Sequence, residues 1–135
     1  MSKDKVFAET RRWLDYAEAD LKAANALIKQ QQSFAQQICF LSQQAAEKGL
    51  KAALIFMQIE FPFRHDLDLL RNLLPEDWPI HKAQPDLTDL TEWAVEARYP
   101  SHNEEATTED ARTALAQAQA IWDLITSELK RRGLG

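Results

Sequence analysis

The charged residues that could bind or act on a ligand fall in three short stretches. The first is Gln43-Gln44-Ala45-Ala46-Glu47-Lys48-Gly49-Leu50-Lys51-Ala52, where a carboxylate and two ammonium groups interrupt a run of apolar positions. The second is His65-Asp66, and the third is Arg98-Tyr99-Pro100 with His102 beyond it. Cationic side chains from separate segments can converge on a phosphate, arginine through paired N–H donors and lysine as a point charge. On that reading Lys48, Lys51 and Arg98 share one cavity and Glu47 orients them.

The same residues have plainer roles. Glu47 and Lys51 form an i,i+4 pair in the favourable order, and as a surface salt bridge such a pair contributes only ~0.3–0.5 kcal/mol. Arg98-Tyr99-Pro100 reads equally as a helix stop whose arginine binds the last exposed carbonyls. Gly49 reads as a close helix crossing, set against a mid-helix cost of ~1 kcal/mol. His65 has no second histidine at helical spacing and His81 is isolated among prolines, so no metal is expected, and no cofactor. Trp13, Trp78, Trp93 and Trp122 read as core or dimer contacts rather than a platform for bases.

The elements that must position these groups are helical. Only three glycines stand among 135 residues, while alanine, glutamine and leucine are abundant, which favours helix over tight-turned sheet. One domain spanning 1–135 can bury a sizeable core. The net charge of −5 argues against general attraction to nucleic acid, though a local basic patch remains compatible with it. Cys39 is the one cysteine, which excludes an internal disulfide and a cysteine-based zinc site; set beside Ile38, Phe40 and Leu41, it reads as core. No apolar stretch resembles a signal peptide or reaches membrane-spanning length, so a cytoplasmic protein is expected.

Phe7, Leu14, Leu21 and Ile28 recur every seven residues with Ala17 and Ala24 between them, predicting a first helix from about Lys5 to about Gln31. Ser33, with Gln36 three later, predicts the cap of a second helix that runs to Met57 or Gln58 and stops before Phe61-Pro62-Phe63. A shorter helix begins near His65 or Asp66 and reaches Leu74. Pro75 through Pro85 is a loop pinned by Trp78 and Ile80, and a further helix runs from about Asp86 to Ala97. Thr107 with Asp110 predicts a capping box opening a last helix that extends to about Arg131, with Gly133 ending it. The fold class is all-α: an up-and-down helical bundle of about five helices, four of them substantial.

With QQAAEKGLKAAL on a long second helix, His65-Asp66-Leu67 opening the next and Ala97-Arg98-Tyr99-Pro100 before the last, the chain resembles the HEPN family from about Trp13 to Leu129. The resemblance implies a small helical domain that binds nucleotides, a bundle that is usually dimeric and often encoded beside a minimal nucleotidyltransferase, sometimes as a toxin–antitoxin pair. It implies Glu47, Lys48, Lys51, His65, Arg98 and Tyr99 as ligand-binding residues. In the ribonuclease branch of that family, an arginine and a histidine with four to six residues between them form a metal-independent site across a dimer. Arginine would hold the phosphate and histidine would exchange a proton with the 2′-hydroxyl or the leaving oxygen. Here Arg98 and His102 are the candidate pair, but only Tyr99, Pro100 and Ser101 separate them, one residue too few. Tyr99 also replaces a usually polar residue, and Glu104 stands where some toxin branches carry the tyrosine that accepts adenylylation. A non-catalytic protein binding a nucleotide or a nucleotidyltransferase partner is therefore expected, with the ribonuclease as the alternative.

Overall fold

The computed structural model describes residues 2–94 and 105–135. Among them lie six helices and no strand: α1 (Lys3–Ile28), α2 (Ala35–Phe56), α3 (Leu67–Asn72), α4 (Ile80–Ala83), α5 (Thr88–Thr91) and α6 (Thr108–Arg131). Ser2 opens α1 by accepting from Lys5 N (3.3 Å), and the expected stripe turns inward, with Ala17, Leu21 and Ala24 buried. Phe7, Leu14 and Ile28 flank that core, half-buried.

The start of α2 differs from expectation. Ile38 N bonds to Phe34 O (2.9 Å), so the first turn opens at Phe34 and Ser33 falls one residue outside; no side chain caps this helix. The helix ends at Phe56 with Met57 as its cap, within a residue of the expected end. Gln58 adopts φ 57°, and two bonds close the end behind it, Ile59 N to Leu54 O (2.9 Å) and Gln58 N to Ile55 O (3.0 Å). This is a Schellman turn on a non-glycine residue, which costs about 1 kcal/mol in the left-handed region. The end of α6 uses the same turn with Gly133 (φ 109°), as its glycine predicts.

Three of the six helices exceed six residues, one fewer than the four substantial helices expected. The stretch after Pro85 winds a single helical turn, Thr88–Thr91, and Trp93 N and Ala94 N then close tighter bonds to Leu90 O and Thr91 O. The remainder of the helix expected to Ala97 lies outside the described residues. The proline-rich loop carries a turn of its own, α4, and Trp78 and Ile80 are buried as predicted. At Thr107 the capping box is complete: Asp110 N donates to Thr107 Oγ1 (3.0 Å) and Thr107 N to Asp110 Oδ2 (2.9 Å).

Helix α2 is the centre of the molecule. It packs against both α1 and α6, and α3 and α5 close on it from the loop side. Buried residues therefore occur all round it, from Ile38 and Cys39 through Ala45, Ala46, Leu50, Ala53 and Leu54. A Cβ on Gly49 would meet Ile125 Cδ1 of α6 at 3.4 Å, close to ordinary van der Waals contact, so the helix crossing leaves room for a methyl group there. The charged stretch of the sequence thus lies on the most enclosed helix, which decides what its side chains can touch.

Candidate functional site

Gln43, Glu47 and Lys51 follow one another at i, i+4 and i+8, so a single face of α2 carries all three. That face is covered, not wet. The side chains of Glu47 and Lys51 are 7% and 8% exposed, with Nζ of Lys51 2.9 Å from Glu47 Oε2. Gln43 Nε2 donates to the other carboxylate oxygen (3.0 Å), and His65 Nδ1 lies 2.7 Å from that same oxygen. Burial alone would raise the Glu47 pKa, but hydrogen bonds from Lys51, Gln43 and His65 outweigh it and hold the carboxyl below its ordinary value. An ionised carboxylate only accepts, so His65 Nδ1 must carry the proton it shares with Glu47.

The remaining contacts fix this cluster in place. The Lys51 ammonium sits over the rings of Trp13 (6.0 Å) on α1 and Phe61 (5.8 Å) after α2, each a favourable cation–π distance. Gln43 Nε2 also approaches His65 O (3.3 Å), and Gln44 Nε2 donates to Gln43 Oε1 (2.7 Å). Just after His65, Asp66 caps α3 by accepting from Leu69 N (3.2 Å), and Leu67 N donates to Thr91 Oγ1 (3.0 Å). The histidine side chain is 49% exposed, so one edge of the buried network reaches the surface. A buried carboxylate that accepts from Nδ1 fixes the tautomer and orientation of the imidazole.

Lys48 takes a different direction. Its ammonium pairs with Asp20 of α1 at 2.7 Å. Lys48 and Lys51 therefore enter separate ion pairs, one tying α1 to α2 and the other inside the Glu47 cluster. Arg98, Tyr99 and His102 lie outside the described residues. Among the described residues no group of histidine, cysteine, aspartate or glutamate is arranged to hold a metal ion. No described helix is long and apolar enough to cross a membrane.

Four contributors escaped the sequence reading: Gln43, Asp20, Trp13 and Phe61. Gln43 had a signal, since it stands four before Glu47 just as Lys51 stands four after. The others meet α2 only through the tertiary fold. Two cavities lie elsewhere. One of about 540 Å³ is lined by α5, the residues after it and the start of α6, and one of about 260 Å³ lies between α1 and α6 at Leu14 and Trp122.

A family model described as HEPN domain matches residues 10–129. No curated protein and no solved structure matches the chain.

Proposed function

Since the chain belongs to the HEPN domain family, we propose that it is a non-catalytic, homodimeric binding protein that recognises a nucleotide phosphate or a nucleotidyltransferase partner within a toxin–antitoxin pair. The observation that carries this reading is the ionised Gln43–Glu47–Lys51–His65 cluster on the most enclosed helix. A buried ion pair is commonly no more stabilising than an apolar pair of the same volume, so stability alone does not account for it. His65 brings the network to the surface, where its ring can contact a ligand while Glu47 and the Lys51 ammonium hold it in orientation. Arg98 and Tyr99 complete the proposed site from the segment that follows Ala94, and Lys48 contributes by holding α1 against α2 through Asp20.

Calorimetry with ATP and GTP tests the ligand. Saturable binding is expected, and His65→Ala combined with Arg98→Ala should weaken it at least about tenfold, the loss that follows from removing charge-assisted hydrogen bonds. His65→Ala also removes a donor from the buried Glu47 carboxylate, so binding is measured well below the melting temperature of the variant. Absence of binding heat with either nucleotide, together with failure to copurify with a coexpressed minimal nucleotidyltransferase, would end this reading.

The second reading is a metal-independent ribonuclease toxin that uses the residue types of Arg98 and His102 across the dimer, although their spacing is one residue short of the pattern. Expression without a partner separates the two. The binding protein should leave growth and cellular RNA intact. Growth arrest with RNA breakdown that His102→Ala abolishes would put the ribonuclease in its place.

A further inference from the structure

Next to His65 the chain displays two side chains that the fold itself does not use. Phe63 is 100% exposed, more than any other large apolar side chain among the described residues. Arg64 follows it and is also exposed. The other described arginines each hold a carboxylate or a carbonyl oxygen. Among the described residues, the Arg64 guanidinium alone enters no hydrogen bond or ion pair.

The turn that carries this pair is held at both ends. Arg64 N donates to Pro62 O (2.9 Å), which closes it. On one side Phe61 lies against the Lys51 ammonium at 5.8 Å. On the other, His65 is tied to Glu47 by its ring (2.7 Å) and to Gln43 by its carbonyl (3.3 Å). Phe63 and Arg64 are therefore clamped to the Glu47 cluster. Two residues of chain span at most about 7 Å, so the ring stands within one nucleotide's length of the imidazole. Its exposed neighbours Glu60, Arg64 and Asp66 are charged. A lone ring among charges lacks the broad patch, about 800 Å² a side, that a stable protein interface needs. One ring face is enough for a planar heterocycle.

We propose that Phe63 is the base-binding residue of the nucleotide site and that Arg64 is a further contact to the phosphate. The inference rests on the nucleotide reading of the Glu47 cluster and adds to it the recognition of the base. The heterocycle stacks on the Phe63 ring, and the guanidinium donates paired N–H groups to phosphate oxygens. Every base has a π-face, so the site takes nucleotides as a class and ranks them by stacking strength.

Calorimetry of the full chain with ATP and with inorganic tripolyphosphate separates the base from the phosphates. The parent should bind ATP at least about fivefold more tightly than tripolyphosphate, the scale of one base–aromatic stack. Phe63→Ser should remove that difference by weakening ATP alone, and Phe63→Trp should keep it. Arg64→Gln should weaken both probes by the same factor, about tenfold for a lost charge-assisted contact. Both side chains are exposed, and unchanged circular-dichroism melting of the variants confirms that folding is retained. Equal binding of ATP and tripolyphosphate by the parent, or ATP binding indifferent to Phe63→Ser, would overturn the proposal and leave the phosphate reading of the cluster standing. Phe63→Ser that keeps ATP binding but no longer copurifies with a coexpressed nucleotidyltransferase would make the ring a protein contact instead. A parent that binds neither probe would end both readings.

Discussion

Lys51→Ala should lower the unfolding free energy by about 3 kcal/mol, the scale found when one partner of a buried ion pair is removed. The substitution leaves the Glu47 carboxylate enclosed with only Gln43 and His65 as donors, and it strips the cation from between Trp13 and Phe61. Urea denaturation monitored by circular dichroism would measure it as a reduced midpoint at unchanged slope. The informative partner is the double variant Glu47→Leu/Lys51→Met. It replaces both charges with carbon of similar volume, so its stability should return to within about 1 kcal/mol of the parent or exceed it. Nucleotide binding, in contrast, should not return, because His65 has lost the carboxylate that orients it. A double variant that recovers both properties would reduce the cluster to packing.

Acid should unfold the chain through two glutamates. Glu47 is held below its ordinary pKa by Lys51, Gln43 and His65 against the opposing effect of burial, and Glu128 is held below it chiefly by Arg131, with Arg132 adding to the effect. A carboxylate whose folded pKa lies below its unfolded value stabilises the fold at pH above the unfolded value. That contribution is lost as the pH falls through the folded one. The unfolded value for both is near 4.5. Urea midpoints should therefore hold steady between pH 7 and 5 and fall progressively below about 4.5. Glu47→Gln should start from a lower midpoint at pH 7 and lose part of the slope below pH 4.5. Midpoints that stay level to pH 3, or a slope identical in parent and Glu47→Gln, would contradict the assignment.

Much of the scaffold was readable because it is periodic. The seven-residue recurrence along α1, the Thr107–Asp110 capping box and the terminating Gly133 are local signals, and each has its counterpart in the structure. Errors arose where a local signal competed with a tertiary one. Ser33 offers a cap, yet α2 starts one residue later, with the half-buried Phe34 packed on the core instead. The end of α2 was placed correctly at Met57 or Gln58, but the left-handed turn at Gln58 that closes it was not foreseen, because no glycine marks it. The helix expected from Asp86 to Ala97 is a single turn in its described part, although Leu87 and Leu90 are buried on the side that the periodicity marked.

The site was legible in its spacing and hidden in its environment. Glu47 and Lys51 announce themselves as an i,i+4 pair, and the same spacing occurs on wet helix faces such as Glu18–Lys22. Nothing local separates the two cases. Only the arrival of Trp13 from α1, and of Phe61 and His65 from the chain after α2, makes one pair buried and the other exposed. Lys48 illustrates the converse: its partner Asp20 lies 28 positions away, at a distance no spacing rule covers. Arg98 and His102 remain a matter of sequence alone.

The placement of Cys39 carries a consequence for the chemistry of the thiol. It is fully buried on α2, the helix that α1 and α6 both cover. Oxidants and alkylating reagents act on an accessible thiolate, so they have no route to this sulfur while the bundle is closed. A sulfenate, adduct or interchain crosslink at this position would thus be a record that the molecule had come apart, not a signal received by the intact protein.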